Sequence, residues 1–182
     1  MCIRDSACYE TELNYIPTTT VKSIAVVGAG PAGLAAATVA AERGHRVTLF
    51  DAAGEIGGQF NVAKRVPGKE EFFETLRYFK RKLETTGVDL RLNTRVSAGE
   101  LLAGGFDEII LATGIVPRTP AIPGVEHAKV ISYLDAILGR KPVGQRVAVI
   151  GAGGIGFDVS EFITHTGPAT SLDREAFWKE WG

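Results

Sequence analysis

Cysteine is scarce in this sequence. Two in 182 residues cannot make a disulfide framework, so a reducing cytosol is the default setting and the chain reads as cytoplasmic. Charge of one sign is also missing. Twenty basic side chains face 21 acidic ones, which leaves no basic excess for nucleic acid. No apolar run approaches the roughly 20 residues that span a bilayer. The first residues carry charges and lack an apolar stretch, so no secretory signal is read. Histidine is rare as well. His45, His127 and His165 sit beside turns or late in a helix, without the partners of a catalytic set. A structural or solvent-facing role is expected for each, and no catalytic residue and no metal ligand is assigned.

Glycine, by contrast, is plentiful, and its placing organises the chain. Ser23 to Val27 is apolar and β-branched and reads as a buried parallel strand. Gly28, Gly30 and Gly33 follow at once in the spacing G-x-G-x-x-G. Pro31 to Arg43 is nearly all Ala, Leu and Val, a good helix that Gly44 stops. Arg46 to Phe50 is a second strand, ending in Asp51. Gly28 makes the tight turn off the strand, a side chain at Gly30 would block a pyrophosphate, and Gly33 lets the helix pack close to the sheet. The helix start offers free N–H groups and a positive dipole end to phosphates. Asp51 sits where a carboxylate can take both ribose hydroxyls. The strand, helix, small Ala37, stop and acid together predict a dinucleotide site.

The rest of the chain is read around that unit. Met1 to Ser6 reads as foreign, its back-translation resembling a transposon end used to build sequencing libraries, or else as an ordinary N-terminal tail. Ala7 to Thr20 is a linker, in which Cys8 is expected to pack. Gly54, Gly57 and Gly58 make a loop over the crevice at the strand ends, where Gln59 is either a ribose or phosphate contact or a solvated loop amide. Lys69 to Thr86 is an amphipathic helix with Phe72, Phe73, Leu76, Phe79 and Leu83 on its core face. Asp89 to Val96 alternates as a strand, with Leu90, Leu92 and Val96 facing in. Glu100 to Ala103 is a short helix, and Phe106 to Thr113 an apolar strand. Ala112 and Gly114 at its end are small enough for the backbone to approach a cofactor. Pro117 to Gly124 leaves the domain, and Ser132 to Leu138 is a helix.

Arg146 to Gly156 then repeats the opening device. Gly151, Gly153 and Gly156 keep the same spacing, with a helix from Ile155 to about Thr164. This is a second dinucleotide fingerprint. Beyond it the pattern stops: Thr166 to Gly182 has no second strand ending in an acid or arginine that could read a ribose, so that stretch is expected to be mobile. Trp178 and Trp181 are expected to pack against a part not present here. A βαβ unit takes about 30 residues or more, and the chain reads as cut short.

Strand-GAGPAG-helix-LFDA, then GGQ, ATG before PRTPAIPG, and a second GAGGIG, resembles the two-dinucleotide-binding-domain flavoproteins. GGQFNVAKRVPGKEEFFETLRYFKRKLE, ATGIVPRTP and VIGAGGIGFDV are similar to bacterial NADPH-dependent 2,4-dienoyl-CoA reductase, from about Ala7 to the end. The resemblance implies an α/β, Rossmann-like FAD/NAD(P)-binding fold, a parallel sheet flanked by helices. FAD would lie on Gly28, Gly30, Pro31, Ala32, Gly33 and Asp51, with Gly58, Gln59, Val96, Ala112 and Gly114. NADPH or NADH would lie on Gly151, Gly153, Gly154, Ile155 and Gly156. Residues 1–20 are then foreign sequence plus linker, 21–125 the first part of the FAD-binding domain, and 126–182 the start of the NAD(P)H-binding domain.

The resemblance further implies an N-terminal barrel with FMN, an acyl-CoA substrate site and a 4Fe-4S cluster, all absent from this sequence. In the related trimethylamine dehydrogenases the equivalent domain holds ADP as a structural ligand, which stays open as an alternative. A small NAD(P)-only dehydrogenase has no S-x-Y-x-x-x-K set here to support it. The isolated chain is expected to lack reductase activity, to hold FAD weakly and to aggregate, with order from about Val21 to Val125.

Overall fold

The computed structural model describes residues 14–182. The readings placed on Met1 to Ser6 and on Cys8 lie outside the described residues. By internal contacts the chain forms two units. One holds the chain up to Ile56 together with Phe79–Thr113, the other Gly57–Tyr78 and Gly114–Gly182.

The first unit is built on a parallel sheet. Strand β1 (Ser23–Val27) leads through helix α1 (Pro31–Glu42) to β2 (Arg46–Phe50). Helix α2 (Phe60–Ala63) and the first half of α3 (Glu71–Thr86) belong to the second unit; the chain returns to the first at Phe79. Then come β3 (Asp89–Arg91), α4 (Ala98–Ala103) and β4 (Glu108–Leu111). The order β3-β2-β1-β4 is parallel throughout, so the central strands are covered on both faces and read as continuous apolar runs. On one face Leu34 and Ala37 of α1 and Leu83 of α3 pack on Ile24, Val26, Val47 and Leu49. On the other, Leu101 of α4, with Phe106 and Val96, covers Ala25 and Phe50. Leu34, Leu49 and Val26 are fully enclosed, each worth roughly 1.5–3 kcal/mol relative to exposure.

Several expectations need correction. The strand expected over Asp89 to Val96 stops at Arg91, and Leu90 is exposed rather than inward. Asn93 adopts a left-handed backbone, φ 53°, which cannot continue a strand. Helix α3 begins at Glu71 rather than Lys69, and of its apolar face only Leu83 is buried. Phe79 packs beside it, Phe72 stacks on Phe60 at 4.4 Å, and Phe73 is 51% exposed. Helix α4 starts two residues before the expected Glu100, because Ser97 and Glu100 form a reciprocal capping box.

The second unit carries helix α5 (Tyr133–Ile137), capped by Ser132, then α6 (Gly154–Thr164), a 3-10 turn (Thr170–Leu172) and α7 (Arg174–Trp181). Arg146 to Ile150 forms no strand, and Val147, Val149 and Ile150 are 48%, 40% and 79% exposed. Strand geometry needs a neighbour for its N–H and C=O groups, and no strand among the described residues of this unit supplies one. Residues 166–182 form the 3-10 turn and α7, whose start is fixed by the Asp173 carboxylate accepting from Glu175 and Ala176 N–H. Trp178 and Trp181 are exposed on that helix.

Two polar ties close this unit. Lys69 Nζ lies 2.7 Å from both carboxylate oxygens of Asp158 in α6, and Ser171 Oγ donates to Glu70 at 2.9 Å. Burial opposes the charge on Glu70. Hydrogen bonds from its own N–H, Ser171 Oγ and Gly68 N–H, with His165 nearby, outweigh that and hold its carboxyl below the ordinary carboxylate range. Among the described residues, no helix is long and apolar enough to cross a membrane.

Candidate functional site

The site grows from the carboxyl end of β1. Gly28 turns there with φ 107°, and its N–H donates to the Phe50 carbonyl at 2.7 Å. A Cβ on Gly28 would overlap the Ala112 carbonyl oxygen and lie 2.8 Å from its carbon. Glycine is required twice over, by the left-handed backbone and by the approach of a neighbouring chain. Gly33 sits one helical turn on. A Cβ there would overlap the Gly28 carbonyl oxygen and reach 3.3 Å from the Ala112 Cβ. The close seating of α1 on the strand ends therefore depends on both.

Gly30 caps α1 with extended backbone (φ −77°, ψ −179°) and offers no side chain. Pro31 follows, where a missing N–H costs nothing. The first turn holds no acidic residue and no side-chain cap. Its orphan N–H groups, with the positive end of the helix dipole, suit a phosphate.

Asp51 stands at the end of β2, half-buried. Its Oδ2 accepts from the buried Ala29 N–H at 2.6 Å and its Oδ1 from Ala53 N–H at 2.7 Å. The carboxylate thus bridges the glycine turn and the loop after β2, and each oxygen keeps a lone pair for a further donor. Ala29 and Ala53 escape a reading by residue type, since they act through backbone alone. The x of G-x-G is the sole signal for Ala29.

The structure brings Gly28, Gly30, Pro31, Ala32, Gly33, Asp51 and Ala112 together in the first unit. Ala112 continues the ladder, its N–H donating to Val27 at 2.8 Å. Val96, in the same unit, packs beside Ala25, Phe50 and Leu101. Gly58, Gln59 and Gly114 belong to the second unit. Gly58 and Gly114 have φ of 53° and 75°. Gln59 is exposed and opens α2, a short helix absent from the sequence reading.

The second fingerprint repeats the first turn. Gly151 has φ 118°, Gly153 caps α6 with φ −88° and ψ −178°, and a Cβ on Gly156 would overlap the Gly151 carbonyl oxygen. These are the relations of Gly28, Gly30 and Gly33. Gly154 and Ile155 open α6, again with no acid in the first turn.

A parallel sheet in the order 3-2-1-4, a glycine turn into a helix and an acid at the end of the second strand define a Rossmann-like, FAD/NAD(P)-binding α/β fold. A family model, pyridine nucleotide-disulphide oxidoreductase, matches residues 22–174. The chain belongs to that family.

It is 35% identical over 170 residues to a metal reductase of Desulforamulus reducens, a match covering 91% of this chain and 25% of the relative. It is 35% identical over 173 residues to a cinnamate reductase of Clostridium sporogenes, covering 94% and 26%. The solved structure of a 2-naphthoyl-CoA reductase complex superposes with a TM-score of 0.79 at 33% identity, covering 82% of this chain and 23% of that one. The chain spans about a quarter of the length of these relatives.

Proposed function

We propose that this chain is the FAD-binding part of an NAD(P)H-dependent flavoprotein oxidoreductase, of the 2,4-dienoyl-CoA reductase kind. The observation that carries the reading is the Asp51 carboxylate, held by Ala29 and Ala53 N–H across the mouth of an uncapped glycine turn. In this reading Gly28, Gly30, Pro31, Ala32 and Gly33 take the pyrophosphate, and Asp51 takes the adenosine ribose. Val96 and Ala112 are further FAD residues of the first unit, and Gly58, Gln59 and Gly114 are FAD candidates carried by the second unit. Gly151, Gly153, Gly154, Ile155 and Gly156 take the pyrophosphate of NADPH or NADH. Residues 21–125 are then the FAD-binding part and 126–182 the start of the NAD(P)H-binding part. FAD, when bound, supplies the hydride-accepting chemistry.

The chain's own residues bind and orient. The α1 N-terminus places positive potential against the phosphates, Gly30 leaves room for them, and Asp51 fixes the rotation of the adenosine. No side chain here is assigned a proton to move. The relatives named for reduction of a cinnamate and a naphthoyl-CoA favour an unsaturated acyl substrate, handled by a further part of the whole protein that would carry FMN and a 4Fe-4S cluster.

The test is the visible spectrum of the whole protein before and after NADPH. Bound FAD that bleaches on reduction supports the reading, and Gly30→Val should abolish FAD binding while the strand–helix unit stays folded. ADP in place of FAD, or wild-type flavin content in Gly30→Val, would overturn it.

A further inference from the structure

Asn93 is the sole non-glycine residue with positive φ among the described residues. It follows β3 and faces the loop that carries Asp51. Its N–H donates to the Ala53 carbonyl at 2.9 Å, and the next N–H, of Thr94, donates to the Asp51 carbonyl at 2.8 Å. The Asp51 N–H in turn donates to the Arg91 carbonyl at 3.0 Å. The Asn93 side chain lies beside Gly54, where a Cβ would come 3.1 Å from its Oδ1.

A strand sends successive N–H groups to opposite sides, so it could not aim residues 93 and 94 at one loop. The left-handed turn at Asn93 does so. Ala53 is thereby held at its carbonyl while its N–H holds Asp51 Oδ1. Asparagine tolerates this backbone better than other residues with a Cβ.

We propose that Asn93 is a positioning residue for the adenosine end of the cofactor. Its left-handed backbone fixes the 51–53 loop and, through Ala53, the rotation of the Asp51 carboxylate. The proposal rests on the reading of Asp51 as the ribose ligand. It adds that the carboxylate is aimed from β3 as well as from the glycine turn. Asn93 itself touches no reacting atom.

The experiment measures FAD affinity in the whole protein for Asn93→Ala, Asn93→Gly, Asp51→Ala and the double variant Asp51→Ala/Asn93→Ala. Alanine disfavours the left-handed backbone and should weaken FAD about 5- to 30-fold. Glycine keeps that backbone and should stay within about threefold of wild type. Asp51→Ala should weaken FAD about tenfold or more. In its background Asn93→Ala should cost less than about twofold further, because the group it aims is gone. A merely structural turn would give losses that multiply. Wild-type affinity in Asn93→Ala, equal losses in the alanine and glycine variants, or multiplying losses would each overturn the proposal. Wild-type affinity in Asp51→Ala alone would instead overturn the ribose reading on which it stands.

Discussion

Gly33 and Gly99 both lie within helices, and the same substitution should move stability in opposite directions at the two. In an exposed helix, Gly→Ala stabilises by about 0.8–1 kcal/mol. At Gly99 in α4 nothing opposes this, since the nearest atom to an added Cβ is Ser97 Oγ at 4.0 Å. At Gly33 the added Cβ would overlap the Gly28 carbonyl oxygen and lie 3.0 Å from its carbon, both backbone atoms in a turn pinned by Phe50 and Ala112. Such a turn cannot yield as the end of a flexible side chain does. Overpacking of this kind costs roughly 1–3 kcal/mol, with backbone clashes at the upper end. Subtracting the propensity gain leaves a net loss of about 1–2 kcal/mol. With a urea m-value near 2 kcal/mol/M, Gly33→Ala should lower the unfolding midpoint by about 0.5–1 M and Gly99→Ala should raise it by about 0.4 M. Equilibrium urea unfolding followed by circular dichroism reads both. A raised midpoint in Gly33→Ala would mean that helix propensity governs it, and the close-packing account of the glycine turn would be wrong.

Two further outcomes follow from the second unit. The Glu70 carboxyl is held below its ordinary range, so its contribution is present above the unfolded-state value near 4.3 and is lost as pH falls through the lowered folded value. The thermal midpoint should therefore drop more gently on acidification in Ser171→Ala than in wild type, and identical acid limbs would refute this. Asp173→Ala removes an N-cap serving two N–H groups. It should destabilise α7 by about 0.5–2 kcal/mol, seen as faster amide exchange confined to residues 174–181; unchanged exchange there would count against the cap.

The β1-α1-β2 unit was legible because its signals are local. β-branched residues precede a glycine triplet, alanines fill the helix, Gly44 stops it and Asp51 ends the second strand. The shortened β3 was not legible, because Leu90 and Leu92 alternate correctly and only the turn at Asn93 breaks the run. The α4 start was legible but unused, since Ser97-x-x-Glu100 is a capping box in plain sequence. The strand expected before Gly151 fails for a different reason. Val147, Val149 and Ile150 have the right side chains, but a strand is completed by a neighbour that lies elsewhere in a chain. At the site, Asp51 could be picked out by residue type and place. Its anchors at Ala29 and Ala53 could not, because an alanine N–H has no signature beyond its position in the turn.

The Gly151 turn has a bearing on the order of folding. It reproduces the geometry of Gly28, Gly30 and Gly33 although the segment before it is unpaired. The shape is therefore written in a handful of adjacent residues and needs no sheet to impose it. Contacts so close in sequence close quickly, on the order of microseconds or less for a helical turn. The β1–β4 side of the sheet, where Ser23 N–H meets Asp107 across 84 residues, must first close a long loop. The glycine cradle is thus expected to form before the partner strands arrive to fix what surrounds it.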